Sequence, residues 1–311
     1  MNAVRGITLL LIQMLITPIC AVLMMLAMPL GGARVFALAR IWCGSMVRVA
    51  SLLGIRFNLE YERDPLAARG APSPQGPAVI LSKHSSAWET FFIVQHFPRL
   101  VPVVKRELLY VPFFGWGLAL CRPIAINRSL RREARSQLQD QGIDRLHQGL
   151  WVMIFPEGTR IPFGLRGRYA TGGASLAVAA GVPVIALAHD AGYFWRKSII
   201  DKRSGTIQVR ISAPMYAAEG ETAAMLNARA EQWIEAQIES FGHPPAAYTS
   251  KARMALERDG RLDTPRVNVD RTDRSVNAEL GAGAERSVST ERGVSAERDV
   301  SADRKVSQDA H

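Results

Sequence analysis

Two side chains suited to proton transfer, His84 and Glu89, lie in the segment L-S-K-H-S-S-A-W-E and are separated by four residues. They follow the apolar run of residues 78–81, which has the length and composition of a buried strand. A histidine titrates near neutral pH, and a carboxylate that holds one ring nitrogen leaves the other available as a base. If a helix begins here, Glu89 lies in its first turns and fixes the tautomer of His84. The segment is therefore a candidate general-base site, although a lone pair of this kind is more often a surface coincidence.

Further along the chain, cations and aromatic residues follow other apolar runs. Lys105 comes at the end of one run, and Arg128 follows the next. Between them lies the aromatic segment V-P-F-F-G-W-G, residues 111–117. The motif F-P-E-G-T-R, residues 155–160, follows a third run and combines a glycine turn with a fixed cation. Taken singly, these features are typical of solvated charges, core aromatics and a surface turn.

The elements that position these residues are indicated by short apolar runs alternating with charged, periodic stretches. This alternation predicts an α/β fold with a mixed, largely parallel sheet flanked by helices. Residues 130–150 and 221–241 have the patterns of helices. One catalytic domain, residues 58–250, accounts for all of these elements. The predicted strands are residues 78–81, 100–104, 123–126, 151–155, 183–187 and 206–211.

The N-terminal 57 residues predict a membrane anchor. Residues 7–30 are almost wholly apolar, and at about 1.5 Å per residue a helix of this length would cross a hydrocarbon core of roughly 30 Å. Pro18 lies near its middle, so both a kinked single span and a re-entrant hairpin are open. Residues 34–53 follow with helical spacing of apolar side chains, which predicts a helix lying in the bilayer interface or packed on the domain core. The apolar positions of this second segment are Leu38, Ile41, Trp42, Met46, Val49 and Leu53.

The distribution of charge supports a membrane surface as a partner and argues against nucleic acid. The net charge is +10, and residues 1–57 contribute five arginines with no acidic residue. Arginines beside an apolar segment are typical of contact with anionic headgroups on the cytoplasmic side. We therefore expect a membrane location, in a bacterium the inner membrane, with the catalytic domain on the cytoplasmic face. The three cysteines are isolated, which disfavours a zinc site and a disulfide framework.

The last part of the chain, residues 251–311, has a different composition. It carries twelve basic and twelve acidic side chains, and Arg286, Arg292, Arg298 and Arg304 recur every six residues. Each repeat offers one apolar residue, which is too little to bury a core. We predict a disordered, charge-balanced tail.

The segments around His84 and residues 155–160, in this order and about seventy residues apart, resemble the motifs of the glycerolipid acyltransferase family. The likeness is strongest to the bacterial 1-acylglycerol-3-phosphate (lysophosphatidic acid) acyltransferases. It covers roughly residues 78–192, and the apolar N-terminus is compatible with it. The family usually has aspartate where this chain has Glu89; the longer side chain can make the same hydrogen bond.

The resemblance implies an activity and a role for each motif. His84, held by Glu89, would remove a proton from the free sn-2 hydroxyl of 1-acylglycerol-3-phosphate, which would attack the thioester of acyl-CoA or acyl-carrier protein and give phosphatidic acid. No metal and no further cofactor is expected. Arg160 would bind the phosphate bidentately. The other candidates are Glu157, Gly158, Thr159, Lys105 and Arg128 for the phosphate site, and Phe113, Phe114 and Trp116 for an acyl channel or membrane contact.

Other enzyme classes find no support in the sequence. Gly-x-Ser-x-Gly, Gly-x4-Gly-Lys-Ser/Thr, His-Glu-x-x-His and Gly-x-Gly-x-x-Gly motifs are absent, which disfavours serine hydrolases, nucleotidases and zinc proteases. Two alternatives stay open: the same acyl transfer to another lysolipid, and a membrane-tethered lipid-binding protein that has lost activity.

Overall fold

Seven strands form one sheet in a computed structural model that describes residues 1–62, 76–97, 99–127, 131–243 and 256–262. The strand order is β1-β7-β6-β2-β5-β3-β4. All neighbouring strands are parallel except β6 and β7, which are antiparallel. The predicted mixed, largely parallel sheet is confirmed. The strands are β1 (Ile55–Tyr61), β2 (Val79–Ser82), β3 (Leu100–Lys105), β4 (Ile124–Ile126), β5 (Trp151–Ile154), β6 (Val184–His189) and β7 (Gly205–Ile211).

Helices cover both faces of the sheet. In β2, Val79 and Leu81 face a core shared with helices α5, α6 and α8, whereas Ile80 faces a core shared with α2 and α3. Strands buried on both faces need apolar side chains at every position, and this produces the continuous runs seen in the sequence. The helices in the described ranges are α1 (Asn2–Ala27), α2 (Gly32–Leu52), α3 (Trp88–His96), α4 (Phe114–Leu120), α5 (Arg131–His147), α6 (Gly172–Ala180), α7 (Ala191–Phe194) and α8 (Ala223–Ser240).

The edge strand β1 was not among the predicted strands. It pairs in parallel with β7, from Ile55 opposite Gly205 to Tyr61 opposite Ile211. Along β1, Arg56, Asn58 and Glu60 are exposed and alternate with more buried apolar residues. An edge strand with one solvated face shows period-two alternation and no continuous apolar run, which is why it was missed.

The N-terminus folds into a helical hairpin of α1 and α2, joined by a 3₁₀ turn at Met28–Leu30. Helix α1 continues through Pro18 without interruption. Arg5 was predicted to face lipid headgroups, but it is buried, and it donates hydrogen bonds to the carbonyls of Leu53 and Lys202. These bonds fix the start of α1 beside the end of α2. Arg5 therefore satisfies free backbone carbonyls where the hairpin meets the domain.

Both helices of the hairpin are long and apolar enough to cross a membrane, judged by length and composition only. They differ in burial, because the most apolar window is 17% buried in the first helix and 44% in the second. Helix α2 packs on α3, and Trp42 contacts Phe91 with ring centroids 5.5 Å apart. Packing on the domain core, one of the two predicted roles of α2, is therefore observed.

Only a short part of the predicted tail is described. Residues 256–262 form a helical turn followed by a β-bridge between Leu262 and Gly167. The backbone N–H of Arg168 donates to the carbonyl of Arg261 at 2.9 Å. This stretch is therefore bound to the segment that follows the F-P-E-G-T-R motif. The rest of residues 251–311, including the arginine repeats, lies outside the described residues.

Candidate active site

The motifs singled out in the sequence meet at the carboxyl edge of the sheet. His84 follows β2, the F-P-E-G-T-R motif follows β5, and Lys105 ends β3. Parallel strands bring their carboxyl ends to one edge, where clefts form in α/β sheets. Here a cavity of about 560 Å³ lies between that edge and helices α1 to α4. His84, Lys105 and Arg160 all line it.

His84 and Glu89 are directly hydrogen-bonded. The distance between His84 Nδ1 and Glu89 Oε1 is 2.8 Å, and the backbone N–H of Ser86 donates to the same oxygen at 3.0 Å. Helix α3 begins at Trp88, so Glu89 lies in its first turn and is fully buried. A carboxylate at a helix N-terminus is favoured by the helix dipole. The longer side chain of glutamate thus reaches the imidazole without loss of the bond.

The environment of the pair keeps Glu89 ionised and leaves one ring nitrogen of His84 open. Burial alone would raise the pKa of Glu89, but the hydrogen bonds from His84 and Ser86 and the nearby rings of His84 and His189 lower the pKa below its usual value. The imidazole stacks on Phe155 with centroids 3.9 Å apart. With Nδ1 bound to the carboxylate, Nε2 is the nitrogen left to accept a proton.

A buried charged cluster lies directly behind this pair. Lys83 Nζ is 2.8 Å from Glu157 Oε1 and 2.8 Å from Glu235 Oε1 of α8. The hydroxyl of Tyr169 donates to the same Glu235 oxygen at 2.8 Å. Burial would lower the pKa of Lys83, but the two carboxylates outweigh it and raise that pKa above its usual value. Lys83 is therefore a charged ammonium that joins β2, the F-P-E-G-T-R loop and α8.

Glu157, grouped from the sequence with the candidates for the phosphate site, does not line the cavity. Its side chain is buried, with Oε1 on Lys83 and Oε2 accepting the backbone N–H of His84 at 2.8 Å. The N–H of Ile161 donates to the carbonyl of His84 at 2.8 Å. Glu157 thus fixes the loop that carries Arg160 against the loop that carries His84.

His189, at the end of β6, holds the same loop from a third side. Its Nδ1 accepts the backbone N–H of Ala191 at 3.2 Å, so Nε2 carries the proton and donates to the carbonyl of Lys83 at 2.9 Å. Burial lowers the pKa of His189, against the raising effects of Glu89 and the carbonyl of Lys83. His189 therefore supports the loop that carries His84.

All of the remaining candidates for phosphate binding except Arg128 line the cavity. Arg160 is exposed to the cavity, and Gly158 and Thr159 line it beside Arg160. Gly158 has φ of 66°, a left-handed conformation that favours glycine at this turn. Lys105 lines the cavity from β3. Arg128 lies outside the described residues.

The aromatic segment after β3 divides between the cavity and the surface. Phe113 and Phe114 line the cavity. Trp116 is 46% exposed and does not line it, although its ring contacts that of Phe113 at 4.9 Å. Of the two uses predicted for these rings, the cavity wall suits Phe113 and Phe114, and a surface contact suits Trp116.

Reasoning from sequence missed the residues that support the dyad. Lys83 stands directly before His84 in the motif. Its position at the end of a predicted buried strand was the one feature of the sequence that could have indicated a buried charge. Glu235, Tyr169 and His189 carry no local signal, since their partners lie far away in the chain. No group of three or more His, Cys, Asp or Glu side chains that could hold a metal ion occurs among the described residues.

Comparison with known proteins identifies relatives of this chain. A family model described as Acyltransferase matches residues 62–190. A 1-acyl-sn-glycerol-3-phosphate acyltransferase of Pseudomonas aeruginosa is 50% identical over 198 residues, which is 62% of this chain and 73% of that protein. The human alpha enzyme of that name is 31% identical over 55% of this chain and 58% of its own length.

A crystal structure of the 1-acyl-sn-glycerophosphate (LPA) acyltransferase PlsC from Thermotoga maritima shares the fold. Its TM-score is 0.60 at 17% identity, covering 79% of this chain and 100% of that chain. At this identity the likeness shows the architecture alone, whereas the bacterial relative at 50% identity shows the kinship. The chain belongs to the 1-acyl-sn-glycerol-3-phosphate acyltransferase family.

Proposed function

We propose that this chain transfers an acyl group to the sn-2 hydroxyl of 1-acylglycerol-3-phosphate and so forms phosphatidic acid. The observation that carries the proposal is the His84–Glu89 dyad, bonded at 2.8 Å, in the same cavity as Arg160. A base for a hydroxyl and a cation for a phosphate are the two groups that this acceptor needs. The relatives with this name in a bacterium and in humans support the same activity.

The chemistry follows from the orientation of the imidazole. Nε2 of His84 accepts the proton of the sn-2 hydroxyl as its oxygen attacks the thioester carbonyl. The carbon–oxygen bond forms, the carbon–sulfur bond breaks, and the proton passes from the imidazolium to the leaving thiolate. The Glu89 carboxylate stabilises the imidazolium between these steps. General-base help of this kind is worth about 10²–10⁴-fold in rate.

The surroundings of the dyad fit the two ends of a lysophospholipid. Arg160 and Lys105 supply cations for the phosphate, and the planar guanidinium can bind two phosphate oxygens. Away from these cations the cavity wall is mainly apolar, with side chains from α1, α2 and α4. An acyl chain would lie along this wall. The donor is acyl-CoA or acyl-carrier protein, each of which presents a thioester, and the reaction needs no further cofactor.

We propose a location on the cytoplasmic face of the bacterial inner membrane, with the hairpin embedded in one leaflet. Helix α1 exposes large apolar side chains along most of its length. It packs on the domain at two places about 22 Å apart along its axis. Gly6 lies against Ile199, and Ala21 lies against Gly117 of α4. A helix fixed in this way lies along the domain, which favours a shallow position over a separate crossing.

An acyl-transfer assay with purified protein tests the function. Lysophosphatidic acid, lysophosphatidylethanolamine and lysophosphatidylcholine are each offered with acyl-CoA and with acyl-carrier protein. We expect lysophosphatidic acid to give the highest kcat/KM with at least one donor. Equal rates on all three acceptors would overturn the assignment of the acceptor, and no transfer to any of them would overturn the activity.

Two variants test the roles of the residues. His84→Ala should lower kcat by about 10²–10⁴-fold. Arg160→Ala should raise the KM for lysophosphatidic acid more than the KM for a monoacylglycerol, because only the former carries the phosphate. Arg135→Ala, at an exposed arginine of α5 that does not line the cavity, is the matched control. Near-normal kcat in His84→Ala would rule out the base.

A further inference from the structure

A short loop between α7 and β7 has features that the acyl transfer itself does not use. Residues 195–203 read W-R-K-S-I-I-D-K-R, and we call them the basic loop. A β-bridge joins Trp195 to Lys202, and the N–H of Arg203 donates to the carbonyl of Phe194 at 2.8 Å. The Lys202 ammonium donates to two carbonyls inside the loop. The loop is therefore closed at its base and its tip is held in a fixed shape.

The tip of the basic loop presents two adjacent isoleucines to solvent. Ile199 is 50% exposed and Ile200 is 61% exposed. Single exposed apolar residues are common on protein surfaces. Two β-branched residues side by side at the tip of a closed loop form a small apolar patch, and the contacts at the base of the loop hold that patch at the surface. Such a tip indicates a surface that is covered in use.

The basic loop carries a net positive charge. The loop carries four basic side chains and one acidic side chain, Asp201, which pairs with Arg196 at 3.1 Å and with Arg203 at 3.5 Å. Lys197 is exposed, has no ion pair within the described part of the chain, and lines the mouth of the cavity that holds Arg160. The combination of a net positive charge with an apolar tip fits a surface that is anionic outside and apolar beneath.

The basic loop is joined to the apolar face of the hairpin. The guanidinium of Arg5 donates to the carbonyl of Lys202 at 2.7 Å. Gly6 allows the close approach, because a Cβ there would lie 1.7 Å from the carbonyl oxygen of Ile199. Val4 and Ile7, beside these two residues on α1, are 68% and 46% exposed. Exposed apolar side chains of the loop and of α1 thus belong to one fixed unit.

We propose that the basic loop is a second membrane contact, in which Ile199 and Ile200 enter the acyl boundary of an anionic bilayer and the loop cations other than the buried Lys202 bind lipid phosphates. This inference rests on the proposed function, since it assigns the loop to the surface from which the lysophospholipid comes. Continuity with α1 and the apolar tip favour lipid over an acidic protein, which would contact the cations and leave the isoleucines in water. Contact at Lys197 would place the cavity mouth at the headgroups.

A fluorescent label at the tip tests the contact without relying on activity. Full-length Ile200→Cys, carrying an environment-sensitive fluorophore, is reconstituted into vesicles of phosphatidylcholine and phosphatidylglycerol that contain a nitroxide-labelled lipid. Met225→Cys, on α8 and 57% exposed, is the matched control, and labelled wild type gives the background from native cysteines. We expect blue-shifted, quenched emission at residue 200 and neither effect at residue 225. Equal spectra and equal quenching at the two positions would overturn the proposal.

A kinetic comparison separates this inference from the proposed function. Ile199→Ser/Ile200→Ser should raise the KM for lysophosphatidic acid in anionic vesicles by about tenfold. Its kcat/KM in detergent micelles should stay within about twofold of wild type, since the tip does not touch the reacting atoms. An equal loss of kcat/KM in vesicles and in micelles would overturn the membrane contact. A shift in the emission of the label caused by acyl-carrier protein and not by lipid would overturn it as well. Absence of transfer by wild type would refute the proposed function, while the label still reports on the loop.

Discussion

At the scale of single residues, we propose that the charge of Glu89 both orients the imidazole of His84 and stabilises its protonated form. The carboxylate accepts from His84 and Ser86 at 2.8 and 3.0 Å within a fully buried position. A glutamate in place of the family's usual aspartate makes both bonds because it starts from the first turn of α3. The dyad was predictable from the motif, and its geometry depended on where the helix begins.

Replacement of Glu89 separates charge from length. Glu89→Gln keeps the size and can hold the same tautomer of His84, but it removes the charge that stabilises the imidazolium, so we expect kcat to fall by roughly 10²-fold. Glu89→Asp keeps the charge but shortens the reach, and a smaller loss of about tenfold is expected. Steady-state kinetics with lysophosphatidic acid would measure both. A larger loss in Glu89→Asp than in Glu89→Gln would contradict this order.

The lowered pKa of Glu89 also links the dyad to stability. Because this pKa is depressed in the folded state, the ionised carboxylate stabilises the fold above the usual pKa of glutamate. That stabilisation is lost as the pH falls through the depressed value. The unfolding temperature of wild type should therefore fall more steeply in acid than that of Glu89→Gln. If the unfolding temperatures of the two proteins changed in parallel with pH, Glu89 would not contribute this stabilisation.

Replacement of Lys83 should lower the free energy of unfolding strongly. Its ammonium lies between Glu157 and Glu235, and removal of it leaves two carboxylates buried without their cation. We expect Lys83→Met to cost about 3–5 kcal/mol and to lower Tm by roughly 10 °C. The double variant Lys83→Met/Glu235→Gln should recover part of the loss, because one buried charge is gone. If the Tm of Lys83→Met equalled that of wild type, the cluster around Lys83 would not stabilise the fold.

At the scale of elements, the sequence was informative where burial imposes a simple pattern. The strands buried on both faces, such as β2, appear as continuous apolar runs and were predicted within one or two residues. Three elements were not predicted, because their placement depends on long-range contacts. They are the edge strand β1, which has one solvated face, and the short helices α4 and α6. The charged partners behind the dyad were invisible for the same reason: Glu235 lies 152 residues from Lys83.

Helix α7 offers a test of how closely neighbouring elements hold the loop that carries His84. A Cβ at Gly192 would lie 2.7 Å from the side chain of Ser85, the residue after His84. Gly192→Ala should therefore displace the loop and lower kcat by about tenfold or more, with a smaller effect on the KM for lysophosphatidic acid because Arg160 is on another loop. Gly76→Ala, where nothing lies within 4 Å, is the control. An unchanged kcat in Gly192→Ala would show that the loop can move to accept the added methyl group without loss of activity.

At the scale of the whole molecule, residues 256–262 bear on where the predicted tail begins. Residues 256–262 bind the segment after the F-P-E-G-T-R motif through the bridge of Leu262 to Gly167 and the bond from Arg168 to Arg261. The composition changes at residue 251, whereas these backbone contacts occur eleven residues or fewer beyond that point. The functional boundary that we infer lies just beyond Leu262.

Two truncations test this boundary. A chain ending at Asp263 keeps the bridge, so we expect its Tm and kcat/KM to match those of the full chain. A chain ending at residue 255 loses both backbone contacts beside the loop that carries Arg160, and we expect a higher KM for lysophosphatidic acid with a lower Tm, by about 2–4 °C for each kcal/mol lost. Thermal unfolding and steady-state kinetics would measure both proteins. If the shorter chain matched the longer one, residues 256–262 would be dispensable; if both were impaired alike, the repeats after Asp263 would carry a role that their composition does not indicate.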